Sequence, residues 1–182
     1  MKICVYGAAS NDIDPAFLDA AEKLGQLIAA NGHTLVFGGG ATGVMGACAR
    51  GVKEKNGKSI GVAPKFFDEP GVLCKDCTEF LFTETMRERK QLMEDLADAF
   101  VVAPGGIGTY EEFIEILTLK QLGRHAKPIA MLNTCGYYEP MNSLMKNTVE
   151  KGFMKAECLA LYKSIDTAEG VLSYIEEELG TR

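Results

Sequence analysis

The chain has 182 residues, 47% of them apolar and 24% charged, the balance of an ordinary globular protein long enough to bury a full core as one domain over residues 1–182. A formal net charge of −6 and a pI near 5.0 exclude the basic face that sequence-independent nucleic-acid binding requires. No apolar run approaches the roughly 18 residues of a membrane helix. The first residues turn polar too soon for a secretory signal, and six cysteines without export fit a reducing compartment. A cytoplasmic protein with no nucleic-acid or membrane partner is expected.

Residues 1–7 read as a short apolar strand closed by a glycine, and Gly7-Ala8-Ala9-Ser10 as a small-residue turn. Phe17, Ala20, Ala21, Leu24, Leu27 and Ile28 recur at helical spacing over 16–30, which Asn31-Gly32 stops as a left-handed cap. A second strand spans 33–37 and runs at once into Gly38-Gly39-Gly40. A helix over 42–55 turns Val44, Met45, Ala47 and Cys48 inward, and a third strand covers 59–63. Residues 64–77, rich in Phe, Pro and Gly, predict a loop over one end of the sheet. Then come a strand at 79–83, a helix at 85–97, a fifth strand at 99–103 and a helix reaching Leu122. A turn at 123–127 leads to a sixth strand at 128–132 and a helix at 137–151. A short last strand at 160–164 precedes an amphipathic helix at 167–179. Strands alternating with helices of about 10–15 residues form right-handed βαβ units. The expected fold class is α/β: a Rossmann-like three-layer domain with a central parallel sheet of about six to seven strands and helices on both faces.

Residues 103–112, Ala-Pro-Gly-Gly-Ile-Gly-Thr-Tyr-Glu-Glu, leave the fifth strand and open a helix with Phe113, Ile116 and Leu117 on its inner stripe. A strand, a glycine turn and a helix start make a phosphate cradle, because the backbone can approach an anion and the free N–H groups and dipole attract it. Gly105, Gly106, Gly108 and the hydroxyl of Thr109 are its expected donors. A second turn, 38–46, supplies Gly40 and Gly43, and the two turns together can wrap one phosphate-bearing ligand. Gly38-x-Gly40-x-x-Gly43 matches the dinucleotide fingerprint, but three consecutive glycines satisfy it easily. The next strand ends in Ala63-Pro64-Lys65, with no acidic residue for a ribose, so a mononucleotide is favoured. The alternative is that these glycines serve only tight turns.

Arg89 lies three and four positions before Leu92 and Met93, and Glu112 four before Ile116, so both fall on inward stripes near the starts of helices that follow parallel strands. They should meet at one edge of the sheet. They are either a buried structural pair or, beside a phosphate cradle, an arginine that holds phosphate or orients a carboxylate acting on a sugar or a water. Glu111 points about 100° away around the helix and is the second choice. Arg87 and Lys90 add positive charge to the same mouth.

Met86-Arg87-Glu88-Arg89-Lys90 followed by Pro104-Gly-Gly-Ile-Gly-Thr-Tyr-Glu-Glu112 resembles the LONELY GUY (LOG) family, cytokinin riboside 5′-monophosphate phosphoribohydrolases, some of which carry a lysine decarboxylase label. The likeness runs from Ile3 to about Lys151 and includes residues 38–46 and Asn133-Thr-Cys-Gly-Tyr-Tyr. It implies a Rossmann-like fold, a homodimer, and cleavage of the N-glycosidic bond of nucleoside 5′-monophosphates without metal or cofactor. By resemblance, Arg89 and Glu112 are catalytic, Gly105, Gly106, Gly108 and Thr109 bind phosphate, and Thr118 touches substrate. Met86 and Lys90 of the motif, with Gly40, Gly43 and Glu111, complete the expected substrate contacts.

The chain departs from the family at Tyr6-Gly7-Ala8-Ala9, where Cys-Gly-Ser-Ser is common, at Arg87 in place of histidine, at Ile107 in place of an aromatic, and over 70–78. These changes keep the expected catalytic pair and leave the preferred base open. Glycosidic cleavage passes through an oxocarbenium-like sugar, which a carboxylate stabilises while it orients or deprotonates the attacking water. The competing reading is a nucleotide or cofactor carrier on the same fold, with no turnover. Lys90 does not call for pyridoxal phosphate chemistry. Cys74-x-x-Cys77 lacks a second pair and a nearby histidine, so a structural or incidental role is expected, and neither His33 nor His125 needs a catalytic one.

Overall fold

A computed structural model describes residues 1–180. In chain order the main elements are β1 (Lys2–Tyr6), α1 (Pro15–Ala30), β2 (Thr34–Phe37), α2 (Gly43–Glu54), β3 (Lys58–Pro64), β4 (Glu79–Thr83) and α3 (Met86–Leu96). They continue as β5 (Ala99–Val102), α4 (Ile107–Gln121), β6 (Ile129–Leu132), α5 (Glu139–Glu150), β7 (Lys163–Ile165) and α6 (Ala168–Glu178). Short 3-10 turns lie at Lys65–Phe67, Thr134–Gly136 and Ala156–Ala160.

All seven strands are parallel, in the order β4-β3-β2-β1-β5-β6-β7. Alternation along each strand divides the core. Ile3 and Val5 face the inner stripes of α1, α2 and α6, whereas Cys4 and Tyr6 face α3, α4 and α5. Strands buried on both faces need apolar residues throughout, and β5 and β6 are buried at every position. This is the α/β Rossmann-like three-layer fold.

The helix starts set where the side chains of the site emerge. Asp14 caps α1 by accepting from the Ala16 N–H at 2.9 Å, with Pro15 at the first helical position. Thr85 and Glu88 form a reciprocal capping box at α3, which fixes the first turn and puts Arg89 one position past it. The chain moves outward from β1 through β2 and β3 to β4, and α3 then returns it to β5 at the other side of β1. The carboxyl ends of β1 and β5 thus form a topological switch point, where ligands of open α/β sheets bind.

Two elements begin more than one residue from where the sequence reading puts them. The last strand is Lys163–Ile165 rather than 160–164, because Ala160 closes a 3-10 turn and Lys163 is the residue in register with Ala130 of β6. The helix expected from residue 137 begins at Glu139, since the Tyr137 and Tyr138 N–H groups are taken by the Thr134 carbonyl and the Asn133 side chain. Among the described residues no helix is long and apolar enough to cross a membrane.

Candidate active site

A cleft of about 460 Å³ opens at the switch point. One wall is the turn Gly7 to Ala9 after β1; another is the second glycine turn, with Gly38, Gly40 and Met45. Met86 and Arg89 of α3 and the first two turns of α4 form the side facing them.

The start of α4 is unfilled by its own chain. Gly106 occupies the cap position and contributes no side-chain cap. Among the described residues, the N–H groups of Gly105, Gly106, Ile107, Gly108 and Thr109 meet no protein acceptor; the first helical bond is Tyr110 N–H to the Gly106 carbonyl, 3.0 Å. Free donors at a helix N-terminus attract an anion, aided by the dipole. Gly105 is required on steric grounds, since a Cβ there would meet Thr109 Oγ1 at 2.2 Å. Thr109 is 4% exposed and, with Gly106 and Gly108, lines the cleft; Gly105 lies beneath them.

The second glycine turn is built differently. Asn11 Oδ1 accepts from the Gly43 N–H at 2.8 Å, and the Ala8 carbonyl accepts from the Met45 N–H at 3.2 Å. Thr42 donates its hydroxyl to the Ala9 carbonyl at 2.6 Å. The start of α2 therefore has protein partners of its own. Gly43, at φ 62°, packs so closely on Ala8–Ser10 that a Cβ would lie 2.5 Å from the Ala8 oxygen, and it lies outside the cleft lining. Gly40 does line the cleft.

Arg89 and Glu112 form a buried ion pair, Nη1 to Oε1 at 2.6 Å, with the residues 7% and 8% exposed. Arg89 Nε also donates to the Val62 carbonyl at the end of β3, 3.3 Å away. Gly38 is explained by this guanidinium, since a Cβ there would sit 2.2 Å from Nη2. Burial pushes the Glu112 carboxyl above the ordinary carboxylate range, and the Arg89 charge beside it opposes that rise. The result is a carboxylate in a dry setting, held by one strong charge-assisted bond and facing the cleft.

The remaining expected contacts divide. Met86 and Glu111 line the cleft. Lys90 does not: it pairs with Glu111 and, at 2.8 Å, with Glu115. Thr118 is exposed on α4, outside the lining and on the helix face that carries Ile107 and Ile114. Arg87 is exposed.

Sequence reasoning missed the wall contributed by the loop after β3. Phe67, Val72 and Leu73 reach the cleft, and the loop docks by the Ala41 N–H to the Val72 carbonyl (2.9 Å) and the Cys74 N–H to the Gly39 carbonyl (2.8 Å). Its apolar composition was the available signal. Cys77 Sγ lies 2.8 Å from the Cys74 carbonyl and beside the Cys74 thiol, which this neighbour holds down to about 6. Neither cysteine lines the cleft. His33 pairs with Glu176 at 3.1 Å, and His125 Nε2 lies 2.9 Å from the Ile116 carbonyl; neither reaches the cleft. Among the described residues no three His, Cys, Asp or Glu side chains gather as a metal site.

Residues 45–175 match the family described as "Possible lysine decarboxylase". The chain is 36% identical over 176 residues to the cytokinin riboside 5′-monophosphate phosphoribohydrolase LOG of Oryza sativa subsp. japonica, covering 97% of this chain and 73% of that one. It is 35% identical over 170 residues to the cytokinin riboside 5′-monophosphate phosphoribohydrolase of Mycobacterium tuberculosis, covering 93% and 90%. In fold it matches the molybdenum cofactor carrier protein of Chlamydomonas reinhardtii with a TM-score of 0.76 over 98% of both chains, at 24% identity, a likeness of fold alone. With two such relatives matched over most of their length and the family model matched over most of the chain, this protein belongs to the LOG family of cytokinin riboside 5′-monophosphate phosphoribohydrolases.

Proposed function

We propose that this chain is an enzyme that hydrolyses the N-glycosidic bond of nucleoside 5′-monophosphates, AMP or a cytokinin riboside monophosphate, to free base and ribose 5-phosphate. The observation that carries the reading is one cleft holding both an uncapped helix start and the buried Arg89–Glu112 pair. The phosphate takes the free N–H groups of α4 and the Thr109 hydroxyl. This puts the sugar toward Glu112, one turn further along the same helix. Water adds to C1′ as the C1′–N bond breaks; Glu112 takes the water's proton and its negative charge stabilises the cationic sugar, while the departing base acquires a proton. Arg89 keeps Glu112 ionised until that moment. Met45, Val72 and Leu73 offer the base an apolar wall.

Incubation of the purified protein with AMP tests this: adenine and ribose 5-phosphate should appear in equal amounts. Binding of AMP and of a panel of other monophosphates with no base released would overturn it in favour of a carrier.

The same reading takes residues 1–182 as one nucleotide-binding domain that works as a homodimer in the cytoplasm. Ile107, Ile114 and Leu122 are 86%, 42% and 66% exposed along one stripe of α4, with Thr118 among them, an apolar face that a second copy would cover. Sedimentation equilibrium should return twice the 19.7 kDa chain mass, and a mass of 19.7 kDa would remove the dimer. The cytoplasm would keep its six free thiols reduced, which cell fractionation checks.

A further inference from the structure

The turn that carries the free donors is held from behind by its carbonyls. Tyr138 Oη donates to the Ala103 carbonyl at 2.7 Å, the Ala8 N–H to that of Pro104 at 3.1 Å, Tyr137 Oη to that of Gly105 at 2.7 Å, and the Tyr110 N–H to that of Gly106 at 3.0 Å. In a planar trans peptide the C=O and the following N–H point in opposite directions. Fixing the Gly105 oxygen therefore aims the Gly106 N–H the other way.

This unit most needs a restraint. It lies between two glycines, where the peptide can rotate at little steric cost and would then present a carbonyl to the anion in place of a donor. Tyr137 has one hydroxyl proton and gives it to Gly105. The contact of 2.9 Å between the Tyr110 and Tyr137 oxygens must then be donated by Tyr110, so α4 itself orients the hydroxyl that holds its own start. Phe17 packs edge-on against the Tyr137 ring at 5.5 Å and Tyr138 at 5.0 Å, which leaves the ring little freedom. Burial, with Tyr110 beside it, pushes the Tyr137 hydroxyl up to about 12, so it stays a donor at neutral pH.

We propose that Tyr137, oriented by Tyr110, is a positioning residue for the anion cradle: by holding the Gly105 carbonyl it keeps the Gly106 N–H directed into the cleft and so sets the affinity for a phosphate group. The proposal rests on reading the cleft as a monophosphate site, but not on hydrolysis.

Tyr137→Phe keeps the ring and removes the hydroxyl. Titration of inorganic phosphate followed by ³¹P NMR should show binding weakened about tenfold, and KM for AMP should rise by the same factor while kcat holds within about twofold. A merely structural hydroxyl would change the melting temperature and leave this KM-against-kcat split absent. Phosphate affinity equal to that of the unaltered protein overturns the proposal, as does an unaltered protein that binds no phosphate. Should Tyr137→Phe not fold, Tyr110→Phe decides: it leaves the Gly105 bond and removes only its orienting donor, so phosphate binding should weaken about two- to threefold, and no change overturns the proposal. A protein that binds phosphate but releases no base from AMP would remove the hydrolase and leave the positioning role to be read from phosphate affinity.

Discussion

Glu112→Gln should keep the fold and lose the reaction: kcat for base release from AMP falls about a thousandfold, while AMP affinity changes by less than about threefold. The amide oxygen can still accept from Arg89 Nη1, the bond that measures 2.6 Å in the parent, so the packing of α3 against α4 survives. What disappears is the negative charge beneath the developing sugar cation and the base for the water. A titration gives the same assignment a second check. Burial raises the Glu112 carboxyl above the ordinary carboxylate range. As pH falls through that raised value the carboxylate takes a proton and kcat drops, so the acid limb should lie above that of an ordinary glutamate and vanish in Glu112→Gln. Retention of even a tenth of the parent kcat by this variant would mean that another group, with Glu111 first in line, carries the chemistry.

Arg89→Met should cost both stability and activity. The substitution keeps a long apolar stem but strands Glu112, 8% exposed, without its counter-charge. Breaking a buried pair from one side costs about 3–5 kcal/mol, most of it the penalty on the remaining ion. The remaining carboxyl escapes part of that cost by binding a proton. With its folded pKa raised still further, the folded protein binds more protons than the unfolded one between the ordinary glutamate value and the raised one. The variant is therefore most stable in acid and loses stability as pH rises through that window. Urea melts at several pH values measure this directly. Adding Glu112→Gln should restore much of the stability and none of the activity. Equal stability losses at every pH would show that the cost comes from packing or from the lost bond to the Val62 carbonyl. Arg89→Lys is no substitute, because one ammonium cannot reach Val62 and Glu112 with the geometry of a guanidinium.

Local order was legible where it is local. Short apolar runs between turn residues mark the strands, the last of them with a shifted start, helical spacing marks the main helices, and the inward stripes bring Arg89 and Glu112 to burial. The order of the strands is not readable in this way, since it depends on which crossover each helix makes. Residues 160–164 were misplaced because Ala160 ends a 3-10 turn and Leu161 and Tyr162 pack at its exit, and apolar content in a five-residue window does not fix a period. The two glycine turns look alike in composition and differ in partners. Asn11 and the Ala8 carbonyl satisfy α2 from 32 and 37 positions away in the chain, while among the described residues nothing does so for α4. Such remote capping leaves no mark in the turn's own sequence. The Phe67, Val72 and Leu73 wall was hidden for a related reason: an irregular segment shows no period, and its bonds to the second glycine turn are made by main-chain atoms.

That docking divides the cleft into two parts with separate freedoms. The loop is fastened to the second glycine turn through the Ala41 and Cys74 N–H groups, the Val72 and Gly39 carbonyls and a bridge between Gly40 and Leu73, and to α2 through Lys53 and Asp76 at 2.7 Å. Val72, exposed and held by its carbonyl, can therefore be exchanged for other side chains while the strap stays seated, whereas Leu73 is buried beneath it. On the opposite bank, Gly105 is confined by the Thr109 side chain, and Arg89 and Glu112 by each other, the Arg89 guanidinium also confining Gly38 from across the cleft. If the cleft binds a nucleotide as proposed, variation over descent is steered toward the bank proposed to meet the base, and a lineage can retune which base it accepts without rebuilding the end proposed to grip the anion.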